Sequence, residues 1–147
     1  MATVEKSVLI ARSAAQMFTL VDDVEDYPEF LPWCAQTNVA FRDASRTVAT
    51  LHISYLSVKS QFTTENAKEI PFSMKIKLLD GPFRRLEGVW RFKPLADNAC
   101  KIDFRLSYEF SSRLFEKIVG PVFSRIADTF VEAFVRRADD VYGVPNV

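Results

Sequence analysis

The chain has 147 residues, 48% of them hydrophobic and 26% charged, a balance typical of one soluble globular domain. Its 19 Lys and Arg residues equal its 19 Asp and Glu residues, so a formal net charge of zero provides no overall field to attract nucleic acid or an anionic membrane. No apolar run approaches the roughly 20 residues that span a bilayer, and the first residues lack the apolar core of a signal peptide, so we expect a cytoplasmic protein.

The N-terminal part predicts a strand followed by short helices. Alternation over Thr3–Ile10 indicates the first strand, and Ser13 is a suitable N-cap for a short helix. Residues 23–34, DVEDYPEFLPWC, contain Pro28 and Pro32, which forbid a long regular element and leave one turn of helix between them. The large apolar side chains of this segment must plug the core, line the rim of a ligand site or meet a partner, because exposure forgoes roughly 1.5 to 3 kcal/mol each.

From Thr37 to Phe110 the apolar period is 2, which predicts a sheet. Short polar connections imply an antiparallel meander, and one-sided alternation implies a single buried face. Only helices are available to cover that face, so the fold class is α+β. The predicted strands are 37–41, 47–55, 58–64, 72–78, 85–93 and 100–110, with turns at 43–45, 65–69, 80–82 and 94–98.

The segment from Ser111 to Gly143 predicts one long amphipathic helix. Ser111 or Ser112 would cap its start, and Gly143 followed by Val144 and Pro145 would stop it. Its apolar positions are Leu114, Phe115, Ile118, Val119, Val122, Phe123, Ile126, Ala127, Phe130, Phe134 and Ala138.

These positions cover roughly half the helix circumference, which exceeds the stripe of about 100° that packing on one surface requires. The helix would therefore either wall a cavity as well as cover the sheet, or be deeply buried in an ordinary core. Gly88, in an inward phase, indicates a bend or the close approach of another group. Pro121 removes a hydrogen bond to Lys117 and predicts a kink, which would either let the first turns swing or only follow the sheet.

Catalytic and metal-binding patterns are weak. The one histidine, His52, falls in the polar phase of its strand, away from a nucleophile. Cys34 and Cys100 fit packed positions and not a zinc site or a disulfide. The carboxylates of residues 22–26 lack the spacing of a calcium loop, and residues 83–85, Phe-Arg-Arg, are too brief for a nucleic-acid motif. We therefore expect no enzyme, no metal and no DNA partner.

Three stretches together resemble a known family: LVDDVEDYPEFLPWC at 20–34, LLDGPFRRLEGVWRFKPL at 78–95 and GPVFSRIADTFVEAFVRRADDVYG at 120–143. They are similar to the coenzyme Q-binding, START-like proteins, which include the bacterial ribosome-association toxins, within the helix-grip, polyketide-cyclase-like superfamily. The resemblance covers nearly the whole chain. It implies one helix-grip domain over residues 1–147, with a curved antiparallel sheet of about seven strands around the C-terminal helix and short helices between the first two strands.

The resemblance also implies a non-enzymatic pocket between the sheet and the C-terminal helix. Its ligand would be ubiquinone or another isoprenoid lipid, with no required cofactor and a supporting role in respiratory electron transport. Aromatic side chains offer flat faces to a quinone ring, and Tyr, Ser, Thr or Lys would have to donate to its carbonyls. The motif residues on this chain are Tyr27, Pro28, Phe30, Leu31, Pro32, Trp33, Gly81, Pro82, Phe83, Leu86, Trp90 and Phe92. The predicted ligand contacts are Tyr27, Phe30, Leu31, Trp33, Phe83, Leu86, Trp90, Phe92, Val122 and Ile126.

The same family includes proteins described as binding the large ribosomal subunit and blocking subunit joining, and these motifs do not separate the two roles. Arg84-Arg85, Arg91 with Lys93, and Arg136-Arg137 would face a phosphate backbone, but the balanced total charge argues against strong, salt-dependent RNA binding. Quinone or lipid binding is therefore the first hypothesis and ribosome association the alternative. The expected partners are an isoprenoid lipid, a transient inner-membrane contact that places the protein at the membrane periphery, or the large ribosomal subunit.

Overall fold

The computed structural model describes residues 2–143, which form one seven-stranded sheet and three α-helices. The predicted α+β fold, a curved sheet around a long C-terminal helix, is confirmed. The strands are β1 (Ala2–Ile10), β2 (Cys34–Arg42), β3 (Arg46–Tyr55), β4 (Val58–Glu69), β5 (Ser73–Asp80), β6 (Phe83–Ala96) and β7 (Ala99–Phe110). The helices are α1 (Ala14–Asp22), α2 (Tyr27–Phe30) and α3 (Arg113–Tyr142), with one turn of 3-10 helix at Val24–Asp26 between α1 and α2.

All neighbouring strands are antiparallel and lie in the order β1-β7-β6-β5-β4-β3-β2. Strands β2 to β7 form the predicted meander, while β1 pairs with the last strand and places Val8 opposite Ile102. The inward residues of β7 are almost fully buried, with Cys100 and Ile102 exposed by at most 1%. The sheet therefore presents one continuous apolar face to the helices.

The three largest differences between observed and predicted strand boundaries are the start of β2 and the ends of β4 and β6. Strand β2 begins at Cys34, and β6 continues through Pro94, which the sequence placed in a turn. Strand β4 runs to Glu69, although residues 65–69 were predicted to be a polar turn. The inward positions here are Asn66 and Lys68, both 7% exposed, so buried polar side chains interrupt the apolar alternation that marks a strand.

Helix α3 is capped as the sequence predicts. The Ser112 hydroxyl accepts a hydrogen bond from the Phe115 backbone N–H at 3.1 Å, and Gly143, with a φ of 81°, ends the helix. The helix is continuous through Pro121. Val144 and Pro145, the rest of the predicted stop, lie outside the described residues.

The first two turns of α3 are exposed, as is every residue from 111 to 118. Leu114, Phe115 and Ile118 are 64%, 43% and 51% exposed. Both interpretations of the wide apolar face, a cavity wall and deep burial in the core, are therefore wrong for these three residues. Only from Val119 onward does the helix bury side chains against the sheet.

The other end of α3 is attached to the region around α1. The Arg12 guanidinium, 6% exposed, donates to Asp139 Oδ1 at 2.9 Å and to the carbonyl of Gly143. The Tyr142 hydroxyl donates to the carbonyl of Gln16 at 2.9 Å. The helix is thus held at its C-terminal end and exposed at its N-terminal end. Neither it nor any other helix within residues 2–143 has the length and apolar character to cross a bilayer.

Candidate ligand pocket

Two adjoining volumes lie between the sheet and α3. The first, here called the inner cavity, has a volume of about 70 Å³ and is enclosed by α3, the residues around α1 and α2, and strands β3 to β7. The second, here called the outer groove, has a volume of about 310 Å³ and lies between α3 and residues 30–33. Trp33 and Ile126 line both volumes and therefore separate them.

Aromatic rings form much of the inner cavity wall. The Trp90 ring, from β6, lies 4.5 Å from Phe104 of β7 and 5.7 Å from Phe130 of α3, measured between ring centroids. Trp33 lies 6.1 Å from Phe130 and closes the side towards the outer groove. Aliphatic side chains complete the wall, so the cavity suits a flat apolar group.

Two glycines allow close packing around this wall. A Cβ on Gly88 would lie 3.2 Å from Leu106 Cδ1 and 3.4 Å from Ile76 Cδ1, and both neighbours line the inner cavity. The predicted close approach of another group at Gly88 is confirmed. At Gly81, with a φ of 145°, a Cβ would lie 2.7 Å from the Cβ of Phe62, so this turn also requires glycine.

The polar groups of the inner cavity come from β4 and α2. Thr64 and Asn66 line the cavity, and the Thr64 hydroxyl donates to Asn66 Oδ1 at 3.0 Å. The Tyr27 hydroxyl donates to the carbonyl of Val21 at 2.5 Å. Burial raises the pKa of Tyr27 far above its usual value, so its hydroxyl stays neutral at physiological pH.

The outer groove has an apolar floor and a basic, polar rim. Its apolar residues include Phe30, Leu31 and Val122, while Arg125 and Arg136 of α3 stand at its edge. Both arginines are exposed, so they retain their hydration unless a ligand or a surface covers the groove.

The present volume of the inner cavity limits what can enter. A cavity of about 150 Å³ accommodates benzene, so about 70 Å³ is too small for a substituted ring. The outer groove, at about 310 Å³, lies at the lower limit of ordinary ligand pockets. A ring could therefore occupy the inner cavity only after Trp33 or Ile126 moves and the two volumes merge.

The structure brings together eight of the ten predicted ligand contacts. Tyr27, Trp33, Leu86, Trp90 and Ile126 line the inner cavity. Phe30, Leu31, Trp33, Val122 and Ile126 line the outer groove.

The two others, Phe83 and Phe92, line neither volume. Phe92 stacks on Trp90 with ring centroids 5.7 Å apart and meets the edge of Phe18 from α1. Phe83 packs 4.9 Å from both Phe110 and Phe123. The motif position of both residues and the inward phase of Phe92 predicted ligand contacts, but neither pattern distinguishes a cavity wall from the core behind it.

Sequence reasoning missed Thr64, Asn66 and Phe130. Phe130 follows the predicted contact Ile126 by one helical turn, so continuing the same face would have found it. Asparagine was absent from the residue types proposed as donors. The alternate spacing of Thr64, Asn66 and Lys68 was the available signal, because continuing the strand phase places all three inside.

Acid and base groups lie mostly away from the inner cavity. Lys68 is inward but pairs with Asp22, whose carboxylate oxygens lie 3.1 and 3.2 Å from its ammonium. His52 is half-buried on the outward face of β3 and contacts Asn38 at 3.0 Å. Within residues 2–143 no group of three His, Cys, Asp or Glu side chains is placed to hold a metal ion.

Comparison with known proteins gives matches over most of the chain. The family model described as "Polyketide cyclase / dehydrase and lipid transport" matches residues 10–135. The ribosome association toxin RatA of Vibrio cholerae is 43% identical over 143 residues, covering 97% of this chain and 99% of that protein. The mitochondrial coenzyme Q-binding protein COQ10 homolog B of Xenopus laevis is 30% identical over 146 residues, covering 97% of this chain and 60% of that protein.

A solved structure of similar length extends the comparison to the fold. The solution structure of an 18 kDa protein from Caulobacter crescentus is 28% identical and has a TM-score of 0.73. The alignment covers 98% of this chain and all of that one. The whole described architecture, including the long C-terminal helix, thus has a close counterpart.

Proposed function

The chain belongs to the polyketide cyclase / dehydrase and lipid transport family, whose START-like members have the helix-grip fold, and from this we propose that it binds a hydrophobic isoprenoid ligand, ubiquinone first, between sheet and helix. The observation that carries the proposal is the aromatic inner cavity beside an open apolar groove. A quinone ring would lie among Trp33, Trp90 and Phe130, and the isoprenoid tail would follow the outer groove. Such binding would support respiratory electron transport by carrying or presenting the quinone.

We propose binding without chemistry, although the family description also includes cyclases and dehydrases. General acid or base catalysis needs a titratable group aimed at the reacting atoms. Among the described residues, Tyr27 faces the cavity with its hydroxyl bonded to a carbonyl and its pKa raised, and the buried ammonium of Lys68 is paired. This arrangement supports a carrier more than a catalyst.

Ligand entry requires the outer groove and the inner cavity to merge. Trp33 and Ile126 line both, so a rotation of either side chain would open a path from the surface to Trp90. The groove then serves as the entrance, with the half-buried Phe30 at its edge and Leu31, 1% exposed, in its floor. The outer groove alone is at the lower limit of the range of about 300–1,000 Å³ found for small-molecule sites, so the combined volume lies within that range.

The entrance is proposed to face an anionic inner-membrane surface during exchange. Arg113 and Lys117 flank one apolar side of the helix start, and this side leads to Val122 in the groove. The exposed apolar residues of this helix start are Leu114, Phe115 and Ile118. A further exposed apolar side chain, Leu56 at 75%, lies at the hairpin tip that follows Tyr55 of the groove.

Extraction of the purified protein with organic solvent, followed by mass spectrometry, tests the proposal most directly. We expect an isoprenoid quinone in the extract, and added ubiquinone should bind to the delipidated protein. Repeated absence of any quinone, together with no binding of added ubiquinone, would reject the quinone-carrier function.

Association with the large ribosomal subunit is the second candidate. It is favoured by the higher identity to the ribosome association toxin, 43% against 30% for the coenzyme Q-binding relative. The protein would then co-sediment with large subunits and block subunit joining, and the association would weaken as salt rises. A protein that stays at the top of the gradient at low salt would exclude this candidate.

A further inference from the structure

The inner face of β4 carries polar side chains at three successive inward positions. Thr64, Asn66 and Lys68 are 3%, 7% and 7% exposed, and Thr47 beside them on β3 is fully buried. A buried polar group without a hydrogen-bond partner destabilises the fold, whereas an apolar residue at the same place carries no such desolvation penalty. Each of these side chains therefore needs a hydrogen-bond partner, either within the protein or on a bound ligand.

Lys68 and Thr47 find their partners within the protein. The Lys68 ammonium pairs with Asp22, and the Thr47 hydroxyl donates to Asp22 Oδ1 at 3.3 Å. These contacts connect the end of α1 to the sheet. They account for the polar character of the two positions without any ligand.

Asn66 is only partly satisfied. Its Oδ1 accepts from the Thr64 hydroxyl, but its Nδ2 has no hydrogen-bond partner within residues 2–143. An amide NH2 carries two donors. Asn66 as a whole residue is 7% exposed and lines the inner cavity, so its unpaired amide donors are within reach of a ligand that enters this space.

We propose that Asn66 Nδ2 donates a hydrogen bond to a carbonyl oxygen on the head group of the bound ligand. This inference rests on the proposed binding function and specifies its ligand: a flat, uncharged ring with a carbonyl, as in a quinone. Within the described residues the cavity wall holds no cationic side chain that could pair with an anion, and the buried ammonium of Lys68, further along β4, is already paired with Asp22. The cavity wall also disfavours a pure hydrocarbon, which would leave the amide donors unpaired.

Thr64 is a positioning residue in this arrangement. By donating to Oδ1 at 3.0 Å, it holds the amide so that the NH2 group points away from Thr64 and remains available to the ligand. A Thr64→Val change leaves Asn66 free to rotate about its last side-chain bond. We expect a smaller loss of quinone affinity in this variant than when Asn66 itself is replaced.

The test compares two probes in wild type, Asn66→Leu and the double variant T64V/N66L, in which neither polar partner is left alone. The probes are a short-tail ubiquinone and the same tail on a ring without carbonyl oxygens. Loss of one hydrogen bond should weaken quinone binding about tenfold and leave the carbonyl-free probe unchanged. Met74→Leu, at another buried residue of the cavity wall, is the matched control and should leave the ratio of the two affinities unchanged.

Infrared spectroscopy of a quinone labelled with carbon-13 at its carbonyls gives a second readout. The hydrogen bond lowers the carbonyl stretching frequency in wild type, and Asn66→Leu should return it to the free value. Equal weakening of both probes, or an unchanged carbonyl band in Asn66→Leu, overturns the inference while the binding function stands. Binding of neither probe by the wild-type protein overturns the binding function and the inference with it.

Discussion

The ammonium of Lys68 donates to both carboxylate oxygens of Asp22, at 3.1 and 3.2 Å, with the lysine side chain 1% exposed. This pair joins the end of α1 to the inner face of β4. Removing one member of a buried pair leaves the other without compensation, and such changes cost about 3–5 kcal/mol. We expect Lys68→Met to lower the free energy of unfolding by about 3 kcal/mol in urea denaturation, the lower value reflecting the partly exposed Asp22.

Lys101→Met is the matched control for this prediction. Lys101 lies 3.8 Å from Asp103, and both side chains are nearly half exposed, so its loss should cost less than about 1 kcal/mol. The double variant D22N/K68M should recover part of the stability lost in K68M. Equal destabilisation by Lys68→Met and Lys101→Met would show that burial of the first pair has no energetic consequence.

Trp90→Ala should weaken ligand binding far more than Arg91→Ala. Trp90 lines the inner cavity, whereas Arg91 lies on the outward face of the same strand. We expect at least a tenfold loss of ubiquinone affinity in Trp90→Ala and little change in Arg91→Ala, because the flat contact surface is removed only in the first.

Trp90→Ala also costs about 3–5 kcal/mol of stability, so a core variant that spares the cavity wall is needed as a control. Phe92→Ala serves, because Phe92 is equally buried and lines neither volume. Quinone titration of the folded fraction separates the two effects. If Trp90→Ala and Phe92→Ala reduce affinity equally, Trp90 is a core residue and not a ligand contact.

Ile126→Ala should speed ligand uptake. Ile126 separates the outer groove from the inner cavity, so shortening its side chain joins the two volumes. We expect the association rate of ubiquinone, followed by quenching of tryptophan fluorescence, to rise several-fold. Val131→Ala is the control on the same helix, since Val131 is 4% exposed and lines neither volume. A rate unchanged in Ile126→Ala would place the entrance elsewhere.

The helix start should carry membrane binding. The variant L114S/F115S/I118S should float less with vesicles of anionic phospholipid than wild type, because the exposed apolar contact is lost. Its free energy of unfolding should change little, since these residues are exposed. The control is L9S/F72S/L95S, three residues exposed by 70%, 53% and 52% at the opposite end of the sheet. Equal flotation of both triple variants would exclude this contact.

Alkaline pH should destabilise the protein through Cys34. Burial raises the pKa of the Cys34 thiol from 9.0 to about 11. Between these values the unfolded chain has released the thiol proton while the folded chain keeps it, so the free energy of unfolding falls as pH rises from 9 to 11. In Cys34→Ala this fall should be smaller, as measured by urea denaturation at both pH values. An identical fall in wild type and variant would show that the thiol ionises equally in both states.

The sequence predicted the architecture well because its signals are local. Alternation along β7 and helical spacing along α3 require only neighbouring residues, and both elements lie where the pattern placed them. The candidate site depends instead on which side chains face each other across the core, and neighbouring residues in the sequence do not determine this. Phe92 and Trp90 share one phase of β6, yet only Trp90 meets the cavity, because α1 places Phe18 against Phe92.

The polar end of β4 was missed for a different reason. Asn66 and Lys68 look like turn residues unless their burial and partners are known, and Asp22, the partner of Lys68, is 46 positions away in the chain. Leu114 gives the opposite error. It fits the apolar face of α3, but the structure exposes it where the sequence predicted a cavity wall or a deeply buried face.

Helix α3 follows all seven strands in the chain and provides much of the cover for their apolar face. During synthesis the sheet residues are therefore made before the helix that shields them. At about 5–20 residues per second, the 30 residues of α3 take roughly 2 to 6 s to add. During that interval the apolar side chains of the strands have no helix to cover them. The yield of folded protein in cells should therefore depend on chaperones that bind unfinished chains.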